Sequence, residues 1–194
     1  MKKNTALKKT VKSAKLSLQP VASEAPGAWH LARTETERRL VDFEFGLERL
    51  AQAYYRWKAA CLSAVCDVPL TGDDVAVLNV VRMGDEPKRL SEIGQLLNRV
   101  DVPNLQYATR KLARVGLIEN YGNSSRKEAR YRTTEAGRTV TEAYAALRAA
   151  TLPPMLEALD DWAGKSEATS LQLDLLSSLY AQAAQIAITR RHQP

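Results

Sequence analysis

Four side chains suited to hydrogen-bonding base edges fall within residues 104–110: Asn104, Gln106, Tyr107 and Arg110. Asn and Gln carry a donor beside an acceptor, the couple that adenine answers in a major groove. A guanidinium matches guanine in the same way, and each such contact is worth about 1–3 kcal/mol of discrimination. The spacing predicts a helix over 102–115 with Leu105, Ala108, Leu112 and Val115 on its inner side and the polar set on the other. Pro103 belongs in its first turn, where the missing N–H costs little. Lys111 is expected on that same outer side, Arg114 adds positive charge near the helix end, and the helix N-terminus itself favours a phosphate. A solvated amphipathic helix has the same pattern, so this helix alone leaves both readings open.

The stretch 90–137 supplies what would position that helix. Ser91 is placed to cap a short preceding helix, with Glu92 in its first turn and Ile93, Leu96 and Leu97 inward. Residues 99–103 (RVDVP) form the turn, and Asp101 stands where it would cap the second helix. Gly116 is a natural stop. Two short β-compatible runs follow, LIENY and RYRTT, joined by the turn-rich GNSSRKEA. They predict a two-stranded hairpin carrying Arg126, Lys127, Arg130 and Arg132 against Glu119 and Glu128. Such a basic hairpin can follow a phosphate backbone or enter a narrow minor groove. Helix-turn-helix followed by a basic hairpin moves the reading from a solvated helix to duplex DNA as the partner.

The charge distribution agrees. The chain has 28 Lys+Arg and 22 Asp+Glu. Six lysines and no acid lie in residues 1–23, so the remainder has 28 − 6 = 22 basic groups against 22 acids. Within 85–138 there are 11 basic and 7 acidic residues, a local excess of 11 − 7 = +4. A polyanion partner suits this pattern. Residues 1–28 lack helical periodicity and read as a disordered basic arm, equally suited to phosphate contacts and to plain solubility.

The flanks read as helix. Over 34–61 the apolar positions Leu40, Phe43, Leu47, Leu50, Tyr54, Trp57 and Cys61 alternate spacings of three and four, a narrow seam with charged sides. That seam fits packing within the chain or against a second copy. Its aromatic members Phe43, Tyr54 and Trp57 are candidates for binding a small aromatic ligand, although core packing explains such a stripe more often. Thr71 and Asp74 form a capping box for the next helix, whose VAVLNVVRM is apolar nearly all round and therefore central. Thr134 starts another helix expected to run to 152. Pro153 and Pro154 should interrupt it or begin a separate segment, PMLEALDDW. After GKSEATS the last helix is expected over roughly 168–189 with Leu171, Leu175, Leu179, Ala183 and Ile186 on its apolar face. The resulting division is an arm (1–28), an N-terminal helix (29–66), a DNA-binding domain (67–138) and C-terminal helices (139–194).

Little here points to catalysis. The only histidines are His30 and His192, and no metal, thiol, serine-nucleophile or phosphate-loop motif occurs. Asp73-Asp74 and Asp160-Asp161 are explained by helix starts and solvated faces. Cys61 and Cys66 are too few for a disulfide framework, and a buried-thiol reading is favoured. The expectation is a non-enzyme without cofactor, with no membrane span, in the cytoplasm beside the nucleoid.

Residues from about 70 to 137 resemble the winged-helix domain of MarR-type transcriptional regulators. LSEIGQLLNRV is similar to that family's first helix-turn-helix helix, and VPNLQYATRKLARVGLIEN to its recognition helix and following strand. SRKEARYRTTEAG is similar to its wing and the ending threonine, acidic, x, glycine. The resemblance covers about a third of the chain. It gives Arg126 the wing-tip arginine role, although Ser125 stands where the family has the Asp that steadies that arginine. It implies a mainly α fold with a β-hairpin wing, flanked by long dimerisation helices. It further implies a homodimer on a pseudo-palindromic operator, released in many members by a small aromatic molecule. The alternative is a winged-helix module that binds protein or RNA.

Overall fold

A computed structural model of the chain describes residues 30–122, 129–159 and 161–190. The expected basic arm, Arg126 and Lys127 at the wing tip, and His192 lie outside the described residues. Residues 30–148 belong to one compact unit and residues 149–190 to another.

The first unit opens with α1 (Glu35–Ser63), started by a full capping box: Thr34 Oγ1 accepts from Glu37 N–H, and the Glu37 carboxylate accepts from the Thr34 N–H. The end of this helix enters the main core cluster through Cys61 and Leu62, with Trp57 packed against it, and Val41 is buried outside that cluster. Leu40, Phe43, Leu47, Leu50 and Tyr54, the rest of the heptad seam, are exposed in the single chain.

Helix α2 (Gly72–Arg82) is the central element, as its all-round apolar sequence requires. Val75, Val77, Leu78, Val80 and Val81 are all buried. The Thr71–Asp74 capping box forms, with Thr71 N–H to Asp74 Oδ2 at 2.9 Å and Asp74 N–H to Thr71 Oγ1 at 3.2 Å. Helix α1 lies so close to the start of α2 that a Cβ on Gly72 would sit 2.6 Å from the Tyr55 carbonyl oxygen.

A short 3-10 turn (Met83–Asp85) leads to β1 (Lys88–Arg89), α3 (Leu90–Leu96), α4 (Val102–Arg114), β2 (Ile118–Tyr121), β3 (Arg130–Thr133) and α5 (Glu135–Leu156). The expected two-stranded hairpin is part of a three-stranded antiparallel sheet in the order β1-β3-β2. Two residues are too short a run to show a period, so β1 carried no sequence signal. Two further expectations are corrected at α3. Ser91 lies inside the helix; the N-cap is Arg89, whose N–H donates to Glu92 Oε2 at 2.5 Å, so the acid rather than the serine closes the end. Leu96 faces out at 54% exposure, while Ile93 is fully buried.

Helix α5 is seated on the sheet by its first turn. Thr134 N–H donates to the Leu117 carbonyl at 3.1 Å, Thr134 Oγ1 donates to the Gly116 carbonyl at 2.6 Å and accepts from Gly137 N–H at 3.0 Å. Arg82 and Arg138 both pair with Asp85, at 2.6 and 2.8 Å, and the Arg82 guanidinium above all holds that carboxyl below its usual range.

In the second unit the helix break expected from proline does not occur. Pro153 and Pro154 lie within α5, which ends at Leu156. A proline's φ near −65° is itself helical; what it removes is an N–H bond to the previous turn. With the helix ending two residues later, little regular structure remains to lose. The Glu157 N–H to Pro153 carbonyl bond at 2.9 Å still closes the last turn. The last helix also begins earlier than the expected residue 168: α6 runs Trp162–Arg190 and takes in the whole of GKSEATS. Along α6, Leu171, Leu173, Leu175, Leu179, Tyr180, Ile186 and Ile188 are all exposed in the single chain. No described helix is long and apolar enough to cross a membrane.

Candidate nucleic-acid interface

The predicted division of α4 holds at most positions, Lys111 being the exception. Leu105, Ala108 and Leu112 are buried, joined by Thr109, whose hydroxyl donates to the Leu105 carbonyl at 3.0 Å. Pro103, Asn104, Gln106, Tyr107, Arg110 and Arg114 are exposed. Tyr107 is 60% exposed, far more than an aromatic ring needs if its role is packing. Arg110 lies back along the helix with its Nε donating to the Gln106 carbonyl at 3.1 Å, which leaves the rest of the guanidinium outward. Arg114 in the last turn complements the negative end of the helix dipole.

Lys111 is not on this face. Its Nζ meets Asp74 Oδ2 at 2.6 Å, with side-chain exposures of 17% and 5%. Seven residues on from Asn104, position 111 returns to nearly the same side of the helix, and the Asp74 carboxylate of the α2 capping box draws its ammonium in. The pair ties the exposed helix to the central one.

Asp101 occupies the N-cap position expected of it but makes no side-chain bond to the helix backbone. Its oxygens are taken by Arg99, Nε to Oδ1 at 2.9 Å and Nη2 to Oδ2 at 2.7 Å, and by the Asn104 amide at 2.9 Å. The hydrogen bonds from Arg99 and then Asn104 hold the Asp101 carboxyl well below the usual carboxylate range. The turn itself depends on Asn98 at φ +51°, which asparagine tolerates better than most residues. It also depends on Gly94, where a Cβ would lie 3.0 Å from the Arg99 carbonyl and 3.1 Å from Leu105.

In the wing, the register pairs Glu119 with Arg132 and Tyr121 with Arg130. Arg132 Nε binds Glu119 Oε1 at 2.8 Å, and its guanidinium lies 4.7 Å from the Tyr121 ring centroid. Arg132 is thereby a strut of the hairpin. Arg130 is half-buried on the neighbouring strand position.

The aromatic candidates separate. Tyr54 and Trp57 stack at 6.3 Å, and Trp57 continues to Tyr144 of α5 at 6.4 Å. Phe43 lies 54 − 43 = 11 residues earlier on α1, about 16 Å along the axis, and does not join them. Lys58 was missed by the sequence reading. It is 5% exposed, with its Nζ 4.8 Å from the centroids of both Tyr54 and Tyr55, and burial pushes its pKa down. The only sequence signal was its place after YYRW. Arg99 was also missed; an arginine two residues before a helix-capping acid is the signal that would have found it. Both cysteines are free, Cys61 buried and Cys66 half-buried, and burial pushes the Cys61 thiol up.

Comparison with known proteins matches this region and the fold around it. Residues 70–137 match the family described as winged helix DNA-binding domain. Reduced AbfR bound to DNA superposes with a TM-score of 0.59 at 18% identity, covering 75% of this chain and 99% of that one; AbfR is from Staphylococcus epidermidis. A mutant MarR from E. coli complexed with operator DNA gives 0.57 at 17% identity, covering 72% and 99%. Sco5413, a MarR family transcriptional regulator from Streptomyces coelicolor, gives 0.55 at 20% identity, covering 75% and 96%. No curated protein matches the chain. Residues 70–137 thus match the winged helix DNA-binding domain family, and the chain shares the fold of these three solved proteins.

Proposed function

We propose that the protein is a sequence-specific transcriptional regulator that binds a pseudo-palindromic operator as a homodimer. The observation that carries this reading is the exposed polar face of α4: Pro103, Asn104, Gln106, Tyr107, Arg110 and Arg114 stand out from a helix whose opposite side is fully buried. Arg126, Lys127 and Arg130 of the wing contribute backbone contacts. The exposed heptad seam of α1, and separately the exposed leucines and isoleucines of α6, are rows of exposed apolar side chains, and a second copy covers them. Two superposed proteins are complexes with DNA in their own structures. A chromosomal partner places the protein in the cytoplasm, with the nucleoid.

Sequencing the duplex fragments retained by the purified protein tests this. The expected outcome is an enriched inverted repeat with half-site centres about one helical turn, 10–10.5 bp, apart, bound by two chains. No enriched duplex would favour a winged-helix module for protein or RNA. A companion prediction concerns Arg126→Ala: affinity should fall for specific and non-specific duplexes alike, and the salt slope should decrease by about one. Unchanged titrations at two salt concentrations would remove the wing from the mechanism.

A ligand response is favoured by Lys58. A nearly buried ammonium that forms no ion pair with the described residues, set over Tyr54 and Tyr55 and next in sequence to Trp57, is suited to a small aromatic acid. A thermal-shift screen of benzoate-type acids should give hits that raise the melting midpoint and release DNA, both lost in Lys58→Met. Hits that leave DNA binding unaltered would defeat this part of the reading.

A further inference from the structure

A chain of ionic contacts runs from the start of α2 to the exposed face of α4. Arg99 grips Asp101 through two bonds, at 2.9 and 2.7 Å, and its Nη1 reaches Asp73 Oδ1 at 3.3 Å. The Arg99 side chain is only 19% exposed, so its fork is held in place. Asp73 is anchored in turn. It follows Gly72, against which α1 packs directly, and its charge is felt by Tyr55 and Lys58 of α1.

At the other end, Asp101 Oδ2 accepts from Asn104 Nδ2 at 2.9 Å. A carboxylate beside a guanidinium is ionised and can only accept, so the NH₂ side of the amide must face it. That removes the freedom of the Asn104 amide to flip. One N–H is spent on Asp101; the carbonyl oxygen and the second N–H remain. Those two groups are the couple that adenine's N6 amino group and N7 answer in the major groove. The arginine also neutralises one of the two carboxylates, Asp73 and Asp101, that would otherwise stand against a phosphate backbone.

We propose that Arg99, held between Asp73 and Asp101, is a positioning residue that fixes the Asn104 amide for reading an adenine, and so sets base preference without touching the base. This rests on the assignment of the α4 face as the DNA-reading surface. A guanidinium is required because a lysine has the charge without the fork.

The test uses the full chain and its enriched duplex, with each base pair of one half-site substituted in turn and affinities measured by anisotropy. Asn104→Ala should lose about tenfold discrimination at one A·T pair. Arg99→Gln and Arg99→Lys should lose most of the discrimination at that same pair and leave preferences elsewhere intact. In the Asn104→Ala background, Arg99→Gln should add no further loss there. Asp73→Asn changes only the more exposed anchor, and it should give a partial loss at the same pair even if Arg99→Gln fails to fold. Uniform weakening on all duplexes by the Arg99 and Asp73 variants, or a loss at that pair that persists without Asn104, would overturn the proposal. If the wild type selects a sequence but Asn104→Ala keeps every preference, the positioning role fails alone. If the wild type selects none, the reading surface fails with it.

Discussion

Gly137→Ala should lower the stability of the protein by about 3 kcal/mol or more, beyond the usual overpacking penalty. A Cβ at this position would lie 1.9 Å from the Leu117 carbonyl oxygen and 2.9 Å from its carbon. Neither atom is the free end of a side chain. That carbonyl accepts the Thr134 N–H, and Thr134 in turn bonds Gly116 and Gly137, so relief at one point breaks the seat of α5 on β2. Gly46→Ala is the control. It sits inside α1 with nothing within 4 Å of a built Cβ, and should raise stability by roughly 0.5–1 kcal/mol through helix propensity. Urea unfolding of both variants checks the pair; a Gly137→Ala midpoint equal to wild type would mean that α5 does not lie on the strand as described.

Lys111→Met should cost about 2–3 kcal/mol. Removing one partner of a buried ion pair leaves the other charge uncompensated, typically at 3–5 kcal/mol. Here Asp74 retains the Thr71 N–H and hydroxyl, at 2.9 and 3.0 Å, which reduces the penalty. The same variant separates two roles. A lysine on a phosphate would take about 0.9 from the salt slope of DNA binding when removed. A lysine bound to Asp74 leaves that slope unchanged and appears in the unfolding curve. The opposite result, full stability with a reduced slope, would return Lys111 to the interface.

The sequence made the outline of the reading domain legible because its signals are local. The Thr71–Asp74 capping box, the inward Leu105, Ala108 and Leu112, the stop at Gly116 with φ +76°, and the cap at Thr134 each depend on a few neighbouring residues. What escaped depends on distant partners or on cost in context. The two residues of β1 are a strand only because β3 lies beside them, and Lys111 turns inward only because Asp74 is there. Proline was overweighted in the C-terminal helices. Pro153-Pro154 lies at a helix end, where a lost bond costs little. Of the aromatic candidates, Tyr54 and Trp57 come together and Phe43 does not, since a seven-residue repeat defines a stripe along α1 rather than a pocket.

The central claim, that the exposed face of α4 reads base sequence, is tested most directly by one comparison. Anisotropy titrations would measure the wild type and the Asn104→Ala, Gln106→Ala, Tyr107→Ala triple variant against the enriched duplex and a scrambled one at a single salt concentration. The wild type should prefer the enriched duplex at least about 10³-fold. The triple variant, with its buried side and melting midpoint unchanged, should bind both duplexes with nearly equal affinity. A triple variant that keeps the wild-type ratio would contradict the account.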